Sequence, residues 1–380
     1  MEYPQLPFID LKKQYERVKD DLAPRLEKVL SSAAFIQGPE VRELEAELAR
    51  HAGVSRVVCC ANGTDALLLP LMAWNVKAGD AVFCPAFTFI ATSEVISLCG
   101  GTPVFVDVDP VTFNMDAADL DKKIQETRRR GEWVPRAVIT VDLFGLPADY
   151  QSLRRVADKY GLLMLEDAAQ GFGGRIGGTA AGNFGDAAAT SFFPAKPLGC
   201  YGDGGAVLTN DLNLAAVVKS LGVHGAGDDK YEHLRIGLNS RLDTLQAAVL
   251  LSKLKIFPEE LELRRKAAEL YHERLRGLVE IPRVPEGCYS AWAQYTVKVP
   301  AERRDGVREF LKSRGIPSMV YYPKPLHLQP AYRACGGRRG DCPVSERLAL
   351  EVLSLPMHPY LTEGDADRVA GALREALEGK

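Results

Sequence analysis

Lys196 stands in TSFFPAKPLGCYGDGGA, residues 190–206, at the end of an apolar run and between Pro194 and Pro197. Glycine follows at Gly199, Gly202, Gly204 and Gly205. A lysine at the mouth of a buried strand is either an ordinary solvated loop residue or an amine held partly out of water. The second kind loses its proton more readily and becomes a nucleophile and a base. Earlier in the chain, LLMLEDAAQG carries Glu166 and Asp167 at the end of another apolar run. A carboxylate there is desolvated unless a cation meets it; taken alone it reads as a helix cap or half of an ion pair. CANGTDALLL sets Gly63 and Thr64 between a strand and a helix. Glycine admits close backbone approach, and the helix start offers free N–H groups that suit a phosphate. PAFTFIATSEV sets Phe87 and Phe89 at a strand exit, where an aromatic ring serves the core or stacks on a flat ligand.

Short apolar runs alternate with helical segments. RVVCCA precedes TDALLLPLMAW, DAVFCPA precedes TSEVISLCG, and PVFVDV precedes DAADLDKKIQETRRR. RAVITVDL leads to DYQSLRRVADKYG and LLMLEDA to a glycine loop, before AATSFF and GAVLTN. This alternation predicts an α/β fold with a mostly parallel sheet between helices. Such sheets bind ligands where loops leave the carboxyl ends of the strands. Residues 10–50 read as helical with a break at Ser31–Pro39. Near residue 240 the pattern changes: LDTLQAAVLLSKLKIF runs into PEELELRRKAAELYHERLRGL as one long charged helical stretch. Strand-like QYTVKVP follows, with helices over RDGVREFLKSRG, VSERLALEVLSL and DADRVAGALREALEG. The expected division is a large domain over 1–244, then a linking helix and a smaller α+β domain over 245–380.

The 380 residues are 46% hydrophobic and 26% charged with a net charge of −3, an ordinary soluble globular balance. The basic runs Arg128–Arg130 and Arg338–Arg339 are isolated, so no nucleic-acid partner is expected. MEYPQLPFIDLKKQY has no apolar signal region and no stretch reaches membrane-spanning length; a cytoplasmic protein with no membrane partner is expected. The eight cysteines are scattered with no CxxC pair, which argues against a metal site or a disulfide framework.

A phosphate cup, an aromatic platform, a carboxylate and a lysine at four strand exits together meet the requirements of pyridoxal 5′-phosphate: a lysine anchor, an acid for the pyridinium nitrogen and a phosphate clamp. With NGTDAL, PAFTFIAT, DAAQ and SFFPAKPLGCYGDGG in place, the chain resembles the DegT/DnrJ/EryC1/StrS family of nucleotide-sugar aminotransferases over nearly its whole length. The resemblance implies the aspartate aminotransferase fold (fold type I), with a seven-stranded sheet in its large domain. It implies that Lys196 anchors the cofactor covalently and shuttles the proton, and that Asp167 pairs with the ring nitrogen. By the same resemblance Gln170 lies near the ring's phenolic oxygen, Gly63, Thr64 and Ser191 hold the phosphate, and Phe89 stacks on the ring.

RIGLNSRLDTLQAA is similar to a segment that crosses to a partner subunit. That implies a homodimer with shared active sites, Asn239 reaching the neighbour's phosphate and Arg241 its substrate; the sequence alone also allows a local Arg241–Asp243 pair. VYYPKPLHLQPAY, residues 320–332, matches a substrate loop of the family and offers Tyr321, Tyr322 and His327 as substrate contacts. Many relatives have His-Tyr where this chain has Tyr321-Tyr322. VITVDLFGLPAD departs from the commoner His-Leu-Tyr-Gly-Gln form at Asp142, Phe144 and Leu146. The branch most resembled acts at C3 of UDP-2-acetamido-2-deoxy-3-oxo-glucuronate, with L-glutamate as expected donor, in surface polysaccharide synthesis. A C4 aminotransferase acting on a UDP- or dTDP-4-keto-6-deoxyhexose and a non-catalytic pyridoxal-phosphate-binding regulator are the alternatives. The family's dehydratases have histidine at the lysine position, so Lys196 speaks against that chemistry. A dinucleotide-dependent dehydrogenase would need a GxGxxG after its first strand, which is missing.

Overall fold

Asp10 opens the first helix by accepting a hydrogen bond from the Lys13 N–H (2.9 Å), and Pro39 opens the second after Gly38. The computed structural model describes residues 4–229 and 231–379. In it α1 (Leu11–Ser32) and α2 (Pro39–Ala52) lead into β1 (Arg56–Cys60), α3 (Gly63–Ala73), β2 (Asp80–Pro85), α4 (Ala91–Leu98) and β3 (Thr102–Val106). Then come α5 (Ala117–Arg130), β4 (Val134–Val141), α6 (Tyr150–Tyr160) and β5 (Leu163–Asp167). A short hairpin of β6 (Arg175–Ile176) and β7 (Thr179–Ala180) precedes β8 (Ala187–Ser191), β9 (Gly205–Thr209) and α7 (Leu212–Leu221). Asp116, Asp149 and Asp211 cap α5, α6 and α7 through their carboxylates, each worth on the order of 1 kcal/mol.

Seven strands form one sheet in the order β1-β9-β8-β5-β4-β2-β3. β9 alone is reversed, antiparallel to both β1 and β8, while β8, β5, β4, β2 and β3 pair in parallel. Successive residues face opposite sides of a strand. Leu165, Ile139 and Ala189 therefore join one core with Leu67, Val95 and Val218 from α3, α4 and α7. Met164 and Val138 join another with Leu120 and Leu153 from α5 and α6, and Ala188 and Leu208 a third with Val18, Leu44 and Leu250. Burial on both faces explains why these strands read as unbroken apolar runs.

The long charged stretch is one helix, α8 (Thr244–Leu275), of 32 residues. Ala247, Leu250 and Phe257 pack into the core beneath the large sheet. Ala267, Tyr271 and Leu275 belong to a separate core built with β11 (Tyr295–Lys298), α9 (Arg304–Ser313), β12 (Val352–Leu355) and α11 (Glu363–Glu378). β10 (Cys288–Tyr289) adds to the β6–β7 hairpin, and α10 (Pro343–Glu351) immediately precedes β12. The expected division at residue 244 falls at the first residue of α8. One expectation fails: VSERLALEVLSL is not helical throughout. The helix stops at Glu351, and Val352–Leu355 pairs antiparallel with Lys298–Tyr295, because full burial beside a partner strand overrides local helix preference. Among the described residues no helix is long and apolar enough to cross a membrane.

His51, in the last turn of α2, packs against the stacked pair of Phe172 and Phe257, its ring centre 5.2 and 5.3 Å from theirs. Its Nε2 is shielded from solvent with no hydrogen-bond partner. Burial, helped by the Arg175 charge, lowers its pKa to about 4. The unfolded chain takes up this proton near 6.5 and the folded protein near 4, so the ring's contribution is complete above 6.5 and lost as pH falls toward 4. Between pH 6.5 and 4.5, His51→Phe should remove roughly 2–3 kcal/mol of the acid-side loss of unfolding free energy. Urea titrations of both proteins at several pH values measure it, and parallel pH slopes would refute it.

Candidate active site

The reversed β9 brings β1 and β8 to one place. Cys60 and Ser191 are both register partners of Gly205. A side chain at Gly205 would strike the Asn62 carbonyl, and a Cβ at Gly63 would lie 2.6 Å from Ser191 Cβ. Glycine at both positions is thus a condition of the contact. Asn62 caps α3 by accepting the Asp65 N–H (2.8 Å), which leaves the Gly63 and Thr64 N–H groups at the helix end without an intrahelical acceptor. Ser191 Oγ, across from them, accepts the Phe193 N–H at 3.3 Å. Two free N–H groups, the Thr64 and Ser191 hydroxyls and the positive end of a helix form a cradle that fits a phosphate.

Asp167 ends β5 with 6% of its surface exposed. Thr92 donates its hydroxyl to Oδ2 (2.9 Å) and the Ala169 N–H reaches Oδ1 (3.2 Å). Burial raises the pKa of this carboxyl; Thr92, the Lys196 charge and the Ala169 N–H oppose it. Lys196 follows β8 in a tight turn closed by its own N–H on the Phe193 carbonyl (2.8 Å). Burial lowers its pKa and Asp167 opposes. No hydrogen bond or ion pair of the Lys196 amine exists among the described residues. Each group is disfavoured in its charged form, and the attraction between them does not compensate. Burial thus makes the Lys196 amine easier to deprotonate, and the Asp167 carboxyl easier to protonate, than either would be in water.

Glu166 points through the other face of the sheet and accepts the Gly182 and Phe184 N–H groups at 2.5 and 2.8 Å. Asp142 lies against it, with one oxygen held by the Ala148 N–H (3.0 Å) and the Tyr150 hydroxyl (2.7 Å). Burial and the neighbouring Glu166 drive the Asp142 pKa far up, which disfavours its charged form. The Asp142 N–H also donates to the Asp167 carbonyl (3.1 Å). Two adjacent acids on β5 therefore have separate duties: one sits in the buried floor and the other opens into the site.

Phe87 is buried with Val108 and Val141, whereas Phe89 is 55% exposed and faces Tyr322 at 6.3 Å between ring centres. Gln170 is buried rather than a loose loop amide: it accepts the Phe144 N–H (2.8 Å) and donates to the Tyr322 hydroxyl (3.2 Å). Tyr321 packs on Phe8 and Tyr322. His327 is not brought to this group. The Leu326 N–H is tied to the Ala86 carbonyl (2.8 Å), and the His327 ring is buried near Phe105 with Nε2 on Glu346 (3.0 Å). Arg241 donates to Asn239 Oδ1 (2.6 Å) and not to Asp243, while Ser240 Oγ accepts the Ala61 N–H (3.2 Å) and holds the segment beside the start of α3. Thr92 was not legible in the sequence, because nothing local links a hydroxyl in the first turn of α4 to a carboxylate on β5.

Residues 16–374 match the DegT/DnrJ/EryC1/StrS aminotransferase family. The chain is 44% identical to the UDP-2-acetamido-2-deoxy-3-oxo-D-glucuronate aminotransferase of Pseudomonas aeruginosa, across 97% of this chain and 99% of that one. It is 41% identical to the UDP-N-acetyl-3-dehydro-alpha-D-glucosamine 3-aminotransferase of Acidithiobacillus ferrooxidans, across 98% of each. A crystal structure of a DegT DnrJ EryC1 StrS aminotransferase from Brucella abortus superimposes with a TM-score of 0.96 at 49% identity, covering 99% of this chain and 100% of that one. Enzymes of this kind depend on pyridoxal phosphate. The chain belongs to the DegT/DnrJ/EryC1/StrS aminotransferase family and is a pyridoxal-phosphate-dependent transaminase.

Proposed function

We propose that this transaminase moves an amino group from L-glutamate to C3 of a UDP-linked 3-oxo sugar, with UDP-2-acetamido-2-deoxy-3-oxo-glucuronate as the acceptor. The observation that carries the chemistry is the buried Asp167 carboxylate and the free Lys196 amine on one sheet edge, beside the Gly63–Ser191 cradle. The likeness to two enzymes named for 3-oxo UDP-sugars supports C3.

Gly63, Thr64 and Ser191 seat the cofactor phosphate, Phe89 covers one face of the ring, and Lys196 anchors it. When bound, pyridoxal phosphate supplies an electron-withdrawing ring that stabilises negative charge at the carbon bearing the amine. Asp167 keeps the ring nitrogen protonated, and Thr92 holds Asp167 in orientation. Gln170, pinned between Phe144 and Tyr322, presents its amide toward the ring's phenolic oxygen. Lys196 Nζ takes the proton from the donor's α-carbon as a general base and returns it as a general acid, a task suited to an amine whose pKa burial has lowered. Glutamate leaves as 2-oxoglutarate; in the second half-reaction the keto oxygen of the sugar leaves as water and the amine takes its place.

The working unit in this proposal is a homodimer. Phe35, Ile36, Leu234 and Ile236 are large exposed apolar side chains, Ile236 at 90%. The Phe35 carbonyl accepts the Thr244 N–H (2.9 Å) and Ile36 bridges Asp243, which puts Phe35 and Ile36 beside the segment that carries Arg241. Exposed apolar surface next to a cationic fork suits a second copy of the chain. Asn239 and Arg241 then complete the partner's site, the arginine gripping a carboxylate or diphosphate with its planar donors.

Lys196→Ala should abolish turnover and the visible absorption of the anchored cofactor while circular dichroism stays native; normal turnover would end the proposal. Asp167→Asn should lower kcat roughly 10²–10⁴-fold, read in single-turnover assays with glutamate. Separate assays with 3-oxo and 4-oxo nucleotide sugars decide regiochemistry, and amination of only the 4-oxo compound would overturn the C3 assignment. If the acceptor is a uronic acid, Arg241→Met should raise KM for it by roughly tenfold or more, with the KM for glutamate changing less.

A further inference from the structure

Lys253 is buried to 1% exposure, among the largest side chains so enclosed. Its Nζ donates to the Gly199 carbonyl at 2.7 Å and lies 4.2 Å from the centre of the Tyr201 ring. Seven residues earlier on the same face of α8, Gln246 accepts the Tyr201 N–H (2.8 Å) and donates to the Tyr201 carbonyl at 3.4 Å. Gly199 and Tyr201 belong to the loop that leaves Lys196. That loop is folded tightly on itself: the Cys200 N–H reaches the Phe192 carbonyl (2.7 Å), and a Cβ on Gly199 would lie 2.6 Å from the Phe193 and Pro194 carbonyls. The Phe193 carbonyl is also the acceptor for the Lys196 N–H.

We propose that Lys253 and Gln246 are positioning residues which clamp the 197–205 loop onto α8 and thereby set where the Lys196 amine lies. Lys253 is a poor choice for filling a core. Glu260 is the acid near its charge, and that carboxylate is already bound by Gln14 and Tyr360; the Cys200 thiol and the Tyr201 ring are its other neighbours. Burial brings its pKa down to about 8. An apolar side chain of the same length would fill the volume without desolvating a charge. What lysine adds is a charge-assisted hydrogen bond to one loop carbonyl and a cation over one loop ring. The placing of Lys196 rests on Lys196 being the cofactor's anchor; the clamp on the loop does not.

Hydrogen–deuterium exchange on the full-length chain loaded with pyridoxal phosphate tests the clamp, comparing Lys253→Met and Gln246→Ala with wild type. Lys253→Met should keep or raise Tm while exchange at the Cys200 and Tyr201 amides speeds up roughly tenfold or more. Gln246→Ala should speed Tyr201 exchange without loosening the sheet. In both, the visible band of the lysine-linked cofactor should fade faster on dilution. Unchanged exchange over 197–205 in both variants overturns the clamp, as does a uniform acceleration across α8 and the large sheet, which would make Lys253 a core residue only. Faster loop exchange with unchanged cofactor retention overturns the link to Lys196. Should Lys196→Ala retain turnover, the assignment of the anchor fails while the exchange results stand.

Discussion

A carboxylate with too few partners governs this site. Asp167 is carried to the end of a central strand by an apolar run that leaves it nowhere to be hydrated. It receives one hydroxyl and one N–H, and a lysine whose own charge is disfavoured by the same burial. Coulomb interactions in such surroundings are several times stronger than in water, so the place over Asp167 selects for a cation and the place of the lysine for a neutral amine. In the proposed function the Gly63–Ser191 cradle, Phe89 and the pinned Gln170 serve the cofactor only in register with that pair.

The register is enforced by close packing. Gly63, Gly205 and Ser191 touch because two of them have no side chain, and the shared pairing of Cys60 and Ser191 with Gly205 leaves little freedom to slide. On the opposite face the Asp142 and Glu166 side chains tie β4, β5 and the hairpin-bearing loop together. The departure from His-Leu-Tyr-Gly-Gln at this point acts through the Asp142 side chain, which accepts from the Ala148 N–H and the Tyr150 hydroxyl; the bonds from the Asp142 N–H to the Asp167 carbonyl and from the Phe144 N–H to Gln170 are made by backbone donors and do not depend on the side chain of Asp142 or Phe144.

Much of this was legible in the chain itself. Apolar runs buried on both faces cannot be confused with surface helices, and each exit carried a residue of unusual chemistry, so Gly63, Phe89, Asp167 and Lys196 stood out. What escaped was set by distant contacts. Thr92 and Asp167 are 75 positions apart, and Lys253 and Gly199 are 54 apart; neither pair leaves a local pattern. The helix expected to run through Leu355 ends four residues early because Tyr295–Lys298 offers a strand edge. His327 shows the opposite failure. It belongs to a loop whose tyrosines reach the site, yet the bond from Leu326 to Ala86 sends the histidine away from them.

The reversal of β9 has a mechanical meaning. Every other strand that delivers a residue to this edge sends its chain off through a crossover to the far end of the sheet, whereas residues 192–204 leave the edge and come back to it. Lys196 rides on a bight of chain moored at both feet, with little slack between the moorings. Lengthening a crossover on the remote rim would leave its reach untouched. Lengthening the bight would let the nitrogen swing, so this is the span along the sheet where the protein can least tolerate added chain.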